Sequence, residues 1–386
     1  MKFKTYMLGE LVQIKYGKNQ RKVMSDKGTI PIYGTGGLMG YATNSLYSGP
    51  SVLIGRKGTI GKVRYVDYPF WTVDTLFYTI VDTNLVLPKY LFYLMSQMDL
   101  NVYNEGTTIP SLRTETLNRI EFNIPSIDDQ KKVLSYLEPI DDKIQLNIEI
   151  NKNLEMQAQA LFQEWFIFNP DSAYWNTGTF SDIIESIIAG DWGKESLQGN
   201  YTQAVYCIRG ADIPEVKMGN KGKMPTRYIL PKNYKTKHLT DGDVIVEISG
   251  GSPTQSTGRI AAVSQSLLDR YNKDMVCTNF CKALKPKKGY SMFLYYYWQY
   301  LYNKNFFFSY ENGTTGIKNL DITGFIENEP IVLPPSTLIK KFDDICHNIF
   351  AETFANGLES EQLTSIRNSL LPQLMSGEID VSNIDF

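Results

Sequence analysis

The chain nearly repeats itself at a long interval, and this constrains its fold more than any other feature. Gly106-Thr107-Thr108 and Ile124-Pro125 reappear as Gly313-Thr314-Thr315 and Leu333-Pro334. The offset of 207 to 209 residues is far above the roughly 20 to 50 residues of stacked repeat arrays. Because each proline precedes a long helical pattern, the sequence predicts two heads and two helical segments. These are the first head (1–125), the first helical segment (126–168), the second head (169–335) and the second helical segment (336–386).

Both helical segments carry apolar side chains at alternating steps of three and four residues, the spacing of a coiled-coil seam. Polar residues occupy the middle of each seam, where they fix register at a cost in stability. We therefore expect the segments to pair as an antiparallel coiled coil. Pro139 predicts a kink, or the start of the main helix after a shorter one. The expected contact residues are Ile140, Ile144, Asn147, Asn151, Leu154, Leu161 and Trp165 in the first segment, and Ile345, Ile349, Asn356, Leu363, Ile366 and Leu370 in the second.

The formal net charge of -2 conceals a separation of charge along the chain. Residues 1–64 hold 11 lysines and arginines against two acidic residues, and residues 194–240 hold nine against three. Residues 126–168 instead hold eight acidic residues against four basic ones. A polyanion responds to the face that it approaches rather than to the total charge, so both heads are candidates for nucleic-acid binding. A lysine-rich, solvated surface without a partner is the alternative interpretation.

In the first head the pattern predicts a basic β-hairpin. Residues 52–54 and 59–66 have the composition of strands, and glycines flank Arg56-Lys57 at the turn between them. Lys62 and Arg64, two residues apart on a strand, would project from one face. Another glycine-broken strand pair is predicted over 32–41, and a short helix over 89–98. The expected nucleic-acid contacts of this head are Lys15, Lys18, Arg21, Lys22, Arg56, Lys57, Lys62 and Arg64.

The second head repeats this pattern with a longer loop. A strand is predicted over 243–248, and a polar loop rich in serine, threonine and glycine follows it to Arg259. Side chains of this kind can contact base edges, although an ordinary exposed loop has the same composition. The expected contacts of this head are Lys194, Arg209, Lys221, Lys223, Arg227, Ser252, Gln255, Thr257 and Arg259.

No set of residues has the arrangement of a known catalytic site. Gly55 to Lys62 resembles a phosphate-binding loop, but five residues rather than four separate Gly55 from Gly61, and Val63 stands where Ser or Thr is required. Two isolated histidines, His238 and His347, are a poor inventory for acid–base catalysis. A catalytic pair of carboxylates remains open from the sequence alone.

The cysteine content and the absence of long apolar runs predict a soluble cytoplasmic protein without a bound metal. Of the four cysteines, only Cys277 and Cys281 form a close pair, which favours free thiols in a reducing compartment over a zinc site. No apolar run approaches the roughly 18 to 20 residues that span a bilayer, and the polar start of the chain has no signal-peptide core.

The order of several short motifs, each present in duplicate or at a segment boundary, resembles the specificity subunit of type I restriction-modification systems over essentially the full length. No single motif is specific, and their order carries the resemblance. The matching elements are Leu8-Gly9-Glu10-Leu11, Tyr33-Gly34 to Gly40-Tyr41, Ile54-Gly55-Arg56-Lys57-Gly58, Gly106 to Pro110, Ile124-Pro125 with Gln130, Ala160 to Phe166, and Leu370 to Ile379. The second copy departs from the first at Gly316-Ile317 and at Thr337 to Ile339, which leaves the register of the repeat open.

The resemblance implies an α+β fold with two mixed α/β target-recognition domains in tandem, separated and followed by long helices that pair as an antiparallel coiled coil. Each domain would recognise one half of a bipartite site in double-stranded DNA. The chain would be a non-catalytic subunit whose helices dock two modification subunits, and restriction subunits would complete the assembly. S-adenosylmethionine, ATP and Mg are expected on those partner subunits, and no cofactor on this chain.

Two other classes of function stay open at this point. A degenerate or regulatory copy could act as a coiled-coil adaptor that binds no DNA. An endonuclease or methyltransferase working alone would instead cleave or label DNA in the presence of metal and cofactor.

Overall fold

The computed structural model describes residues 1–252, 254–313 and 316–382. Thr314 and Thr315, which belong to the second copy of the repeated tripeptide, lie outside the described residues. The chain forms two compact units, Met1–Asp142 with Thr364–Phe386, and Lys143–Leu363. Each long helix therefore contributes residues to both units.

The first head consists of short strands and three short helices. The strands are β1 (Lys4–Met7), β2 (Val12–Tyr16), β3 (Ile30–Gly34), β4 (Gly37–Ala42), β5 (Ser51–Gly55), β6 (Val63–Val66), β7 (Trp71–Thr72), β8 (Leu76–Val81) and β9 (Glu121–Ile124), and the helices are α1 (Leu8–Leu11), α2 (Pro88–Ser96) and α3 (Thr114–Asn118). The predicted strand pairs and short helix are confirmed, although β6 is shorter than the predicted strand because residues 56–62 form an irregular loop.

Three sheets build the first head. An antiparallel sheet has the strand order β2-β8-β5-β6, and a smaller sheet has the order β4-β3-β7, in which β3 and β7 are parallel. Strand β1 pairs with β9, so the first and last strands of the head are neighbours. The fully buried β5 and the aromatic side chains of α2, including Tyr90 and Tyr93, lie in the core.

The first helical segment folds as α4 (Ile127–Phe162), followed by one π-helical turn over Gln163–Ile167. The helix continues through Pro139, so the alternative of two separate helices is wrong. In the first unit, Val133, Leu134 and Leu137 of α4 pack against the core of the head. In the second unit, Ala158, Phe162 and the following Phe166 are buried.

The second head has more strands and longer connections. Its strands are β10 (Asn176–Thr179), β11 (Ile184–Ala189), β12 (Gln203–Ile208), β13 (Thr226–Ile229), β14 (Val244–Glu247), β15 (Ser249–Gly250), β16 (Ile260–Ala262), β17 (Met275–Cys277), β18 (Cys281–Pro286), β19 (Glu311–Asn312), β20 (Lys318–Leu320) and β21 (Pro330–Leu333). Its helices are α5 (Ile213–Lys217), α6 (Pro231–Lys237), α7 (Gln265–Leu268), α8 (Ser291–Asn303) and α9 (Ile322–Asn328).

The two heads share one topology, which explains the repeat in the sequence. The sheet β11-β18-β14-β16 has the same order as β2-β8-β5-β6, when strands are matched by their place in the chain. The sheet β13-β12-β17 matches β4-β3-β7, again with one parallel pair. Strand β10 pairs with β21 as β1 pairs with β9. The repeated motifs therefore mark the same elements in both heads, and the added length of the second head lies in its connections.

The second helical segment folds as α10 (Ser336–Ser376), and its buried side chains match the predicted contact positions only in part. Ile366 is half exposed, whereas Leu371 is buried. The predicted Asn356 is buried, whereas Cys346 and Leu371, each one residue after a predicted position, are more deeply buried than Ile345 and Leu370. The sequence missed Thr353 and Gly357, because polar and small residues do not show an apolar spacing.

Within the second unit, α4 and α10 run antiparallel through a polar layer. The side-chain amide of Asn147 donates to the carbonyl of Asn356 at 3.3 Å and to the Glu359 carboxylate at 2.8 Å. One turn further along α4, Asn151 donates to the carbonyl of Thr353 at 3.0 Å and accepts from Asn356 at 3.0 Å. Partner numbers fall along α10 as they rise along α4, which defines the direction.

The other predicted contact residues of the helices are half-buried. Leu161, Trp165 and Ile349 pack against the core of the second unit, and Leu370 packs against that of the first. The remaining members of this group are Ile140, Ile144, Leu154, Ile345 and Leu363. Among the described helices, none combines the length and the apolar composition needed to span a lipid bilayer.

Candidate nucleic-acid interface

Each head has a cavity at the same place in its topology. In the first head a cavity of about 250 Å³ lies where β3 ends, at Gly34-Thr35-Gly36, and is bounded by Lys62, Val63 and Arg64 near the start of β6. In the second head a cavity of about 460 Å³ lies where β12 ends, at Arg209-Gly210-Ala211. Strand and loop residues together line both cavities, with Leu53 and Leu76 from strands of the first head and Glu247 from β14 of the second.

The eight cations predicted as nucleic-acid contacts of the first head are free of acidic partners. None of the eight predicted contact residues forms an ion pair with a carboxylate within the described part of the chain. Seven of them, all except Arg56, are exposed. Charges that are neither buried nor compensated retain their field toward solvent, which attracts a polyanion. The seven are Lys15, Lys18, Arg21, Lys22, Lys57, Lys62 and Arg64.

Aromatic rings orient two arginines of the first head. The guanidinium of Arg56 lies 5.0 Å from the ring centroid of Tyr16 and donates to the carbonyl of Asp74 at 2.8 Å. The guanidinium of Arg64 lies 4.9 Å from the ring centroid of Tyr33. Such contacts restrict a long side chain while leaving its charge available. Tyr33 in turn shares a 2.6 Å hydrogen bond with Tyr68, whose pKa is raised by burial and by this bond.

The repeated tripeptide of the first head borders the basic hairpin loop. The amide of Gly58 donates to the carbonyl of Pro110 at 2.9 Å, and the amide of Leu112 donates to the carbonyl of Arg56 at 2.9 Å. These bonds hold the exposed residues 107–110 beside Arg56 and Lys57.

Aromatic side chains line the cavity of the second head. Trp192 and Phe280 contribute to its wall, and Phe280 is 59% exposed. Thr278, Asn279 and Ser249 add polar groups to the same wall. Sequence reasoning missed these residues, because the loops that carry them have no basic or repeated motif. Their only indication was Trp192 within the glycine-flanked segment 190–193.

Three predicted arginines of the second head are paired inside the molecule. Arg209 donates to Asp212 at 2.9 Å, Arg227 donates to Glu195 at 3.2 Å, and Arg259 makes two bonds to Glu247 at 2.6 and 2.7 Å. Burial by itself would raise the pKa of Asp212. Hydrogen bonds from Arg209 and from the amide of Lys223 outweigh this effect, so the pKa of Asp212 lies below its usual value. These arginines therefore bring less free positive charge than those of the first head.

The three lysines predicted in the second head have no carboxylate partner among the described residues. Lys194 lies over the ring of Tyr201 at 5.5 Å, and Lys221 lies over the ring of Tyr271 at 4.9 Å. Lys223 is exposed beside the Arg209–Asp212 pair, where its backbone bonds to both partners. Free charge in this head is thus carried by lysine.

The polar loop of the second head differs from a freely exposed one. Thr257 is fully buried and donates from its hydroxyl to Glu311 at 3.0 Å. The Ser252 hydroxyl accepts from the amide of Gln255 at 3.0 Å, and the Gln255 side chain is exposed. Strand β15 of this loop pairs with β20. Pro253 of this loop lies outside the described residues.

A glycine contact joins the second head to the helices of its own unit. Gly219 and Gly357 lie so close that a Cβ on Gly357 would overlap the Gly219 carbonyl oxygen. The same carbonyl accepts from Arg270, and the neighbouring Met218 carbonyl accepts from Asn151 at 3.0 Å. Residues 218–219 thus pack directly against the polar layer of α4 and α10.

All four cysteines are buried and free. Burial raises the pKa of the Cys207 thiol and of the Cys281 thiol to about 12. Within residues 1–252, 254–313 and 316–382, the structure contains no group of three or more His, Cys, Asp or Glu side chains placed to hold a metal ion.

Comparison with known proteins identifies similar chains. Residues 1–156 match the family model described as the type I restriction modification DNA specificity domain. The type I restriction enzyme HindI specificity subunit of Haemophilus influenzae is 25% identical over 390 residues, covering 83% of this chain and 84% of that protein. The type I restriction enzyme MjaIX specificity subunit of Methanocaldococcus jannaschii is 26% identical over 365 residues, covering 86% and 78% respectively.

A solved structure has a similar fold. The crystal structure of a type I restriction-modification system S subunit from M. genitalium superimposes with a TM-score of 0.59. The alignment covers 97% of this chain and 96% of that chain at 15% sequence identity. At this identity the likeness concerns the fold.

Proposed function

We propose, from the premise that this chain is a relative of the specificity subunits of type I restriction-modification systems, that it recognises a bipartite sequence in double-stranded DNA. Each head would contact one half of the site. The chain would determine which DNA sequence the complex binds, and other subunits would carry out the chemistry.

The observation that carries this proposal is the equivalent placement of the two cavities and of the basic loops that adjoin them. A duplicated frame with different loops suits two targets of one kind but different sequence. The first head offers Lys62 and Arg64 beside its cavity, and the second offers Trp192 and Phe280, with the exposed Lys194 two residues after Trp192. Backbone-fixed loops of this composition can contact both phosphates and base edges.

The cations and the loop side chains would have different tasks. Lysines and exposed arginines would neutralise phosphates, which sets position and makes binding sensitive to salt. Polar side chains such as Gln255, Asn279 and Thr35 would contact base edges, with about 1 to 3 kcal/mol of discrimination for each good bidentate contact. Thr257 and the paired arginines would instead hold the loops in shape.

The long helices would serve assembly. In this proposal α4 and α10 pair as an antiparallel coiled coil, with Asn147, Asn151 and Asn356 fixing its register. Their solvent-facing sides would dock two modification subunits, and restriction subunits would join them. S-adenosylmethionine, ATP and Mg would be bound by those subunits, while this chain would be non-catalytic and cytoplasmic.

The test is a gel shift with the purified modification subunits, after methylated adenines in DNA from cells carrying the full system have defined the site. Duplex DNA with that site should give a complex that a scrambled duplex of equal length does not. Changing bases in one half of the site should weaken binding, and restoring them should restore it. A complex that forms equally on both duplexes, or on neither, would favour the adaptor function instead.

A variant test addresses the hairpin loop. Replacing Arg56 and Lys57 with Ala should weaken DNA binding and reduce its salt dependence. An unchanged salt dependence would place the hairpin loop away from the phosphates.

A further inference from the structure

Strand β4 of the first head exposes an unusual amount of apolar surface. Leu38 is 52% exposed, Met39 50% and Tyr41 46%, and the adjacent Met24 is 49% exposed. We call these four residues the β4 patch. Met24 bridges to Ala42 at the end of β4, and its methyl group lies against Gly40, which stands between Met39 and Tyr41 in the strand. Four such side chains at one place on a soluble surface indicate a contact with a partner.

The strand geometry argues against a β-strand as that partner. Strand β4 lies at the edge of its sheet, which would normally invite another strand to pair. The register between β3 and β4 shifts at Ile32 and Tyr33, and this bulge places Met39 as the extra residue between Leu38 and Gly40. Bulges interrupt the regular row of backbone groups that strand addition needs, and they redirect side chains.

Unpaired cations surround the β4 patch. On one side, the guanidinium of Arg64 lies 3.4 Å from the position that a Cβ on Gly37 would occupy, next to Leu38. On the other side, the exposed Arg21 and Lys22 lie in the turn that the amide of Met24 closes by donating to the carbonyl of Gln20. None of these three cations has a carboxylate partner in the described part of the head. An apolar centre with a rim of free positive charge is complementary to duplex DNA, in which phosphates flank stacked bases.

We propose that Leu38 and Met39 insert as an apolar wedge at a base step of the duplex and unstack it, while Arg21, Lys22 and Arg64 hold the flanking phosphates. Leucine and methionine are side chains that proteins use in this way, and the wedge kinks the DNA at the cost of a few kcal/mol of stacking. The two-residue reversal at Thr35-Gly36, with Gly37 at a φ of 122°, gives the hairpin a narrow end that can enter a groove.

Among the described residues, the second head has no counterpart of this wedge. Strand β13, which matches β4, has no exposed side chain, and β12 is followed by a turn over Gly210–Asp212 and by α5, whose Ile213 and Val216 are buried. The DNA distortion is therefore expected in one half of the site and absent from the other. This inference rests on the proposed function, and it adds to that function a way of sensing the deformability of a base step that is not read through hydrogen bonds.

The experiment uses the full chain in complex with the modification subunits. Duplexes with the mapped site carry 2-aminopurine at successive positions through both halves, and its fluorescence rises where a base loses its stacking neighbour. Wild-type protein should raise the fluorescence at one step in one half. The double variant Leu38→Ser, Met39→Ser should abolish that rise while still forming the complex, and its mobility in a circular-permutation gel should show a smaller bend.

Leu197→Ser is the matched control, since Leu197 is a 65% exposed leucine of the second head. It should leave the rise intact. Sequence-dependent binding without any rise would overturn the wedge and leave the proposed function standing. Two results together would assign the β4 patch to a protein contact instead. The double variant would no longer bind the modification subunits, and neither Leu38→Ser alone nor Met39→Ser alone would change the fluorescence rise. Failure of wild type to bind the mapped site would overturn both proposals.

Discussion

The salt dependence of DNA binding should fall by a calculable amount when free lysines of the first head are removed. Lys57 and Lys62 are the cleanest pair to replace with Ala, because both are exposed and neither has a carboxylate partner within the described chain. Arg56 is less suitable, since its guanidinium also holds the Asp74 carbonyl at 2.8 Å and lies against Tyr16. Truncating Lys57 and Lys62 leaves the hydrogen bonds of the hairpin loop in place, so the change in binding should report on charge alone.

The expected magnitude follows from counterion release. Each phosphate contact contributes about 0.9 to the slope of log K against log salt concentration, so the double variant should lose about 1.8 from that slope. Between 50 and 200 mM salt, wild-type affinity should therefore fall about tenfold more than that of the variant. The affinity difference between the two proteins is largest at low salt and shrinks as salt rises.

The assay is equilibrium binding of fluorescent duplex, with modification subunits present, at several salt concentrations. Lys131→Ala is the control, because Lys131 is exposed but lies 3.4 Å from the Asp128 carboxylate at the start of α4. Its slope should match that of wild type. A double variant with the wild-type slope, or an equal fall in the control, would refute the assignment of Lys57 and Lys62 to phosphates.

Three further outcomes are expected. Gly357→Ala should destabilise the protein by about 1 to 3 kcal/mol in thermal unfolding, because the new methyl group would overlap the Gly219 carbonyl. Gly36→Ala is the control and should not destabilise it, since Gly36 has open space around it. Equal melting temperatures of the two variants would contradict this contact. The four buried thiols should react slowly with a thiol reagent at pH 8 and rapidly after unfolding, since burial raises the pKa of Cys207 and Cys281 to about 12, and prompt labelling of native protein would oppose their burial. Asp212→Asn should be less stable than wild type at neutral pH, and because the folded pKa of Asp212 lies below the unfolded value near 4, the gap should narrow as pH falls below about 4; a gap that widens in acid would disprove the argument.

Much of the fold follows from periodicity that can be read in the sequence. The spacing of apolar residues predicted both long helices, and glycine-flanked apolar runs predicted the hairpins at 32–41 and 52–66. Part of the buried face of α10 was not predictable in the same way, because Thr353 and Gly357 are buried there by the polar layer and by the close approach of Gly219. A count of apolar positions cannot detect such residues.

The candidate interface was only partly predictable, because charge along the sequence does not report charge in space. The predicted contact lysines of the first head, Lys15, Lys18, Lys22, Lys57 and Lys62, have no carboxylate partner among the described residues. In the second head Arg259 binds Glu247 across paired strands, and that neighbour becomes visible only once the register of β14 and β16 is known. Trp192 and Phe280 meet at one cavity although 88 positions separate them in the sequence.

Strand β1 pairs with β9, and β10 pairs with β21. The chain therefore enters and leaves each head on two adjacent strands. Lys4 lies opposite Ile124, and Asn176 lies opposite Leu333. A segment from another protein whose two ends lie equally close together could replace all residues between the paired strands of a head. The helix that follows that head would keep its position. Under the proposed function, recombination between related genes would exchange a whole DNA-recognition domain in one step. A new recognised sequence would then arise faster than by point substitutions.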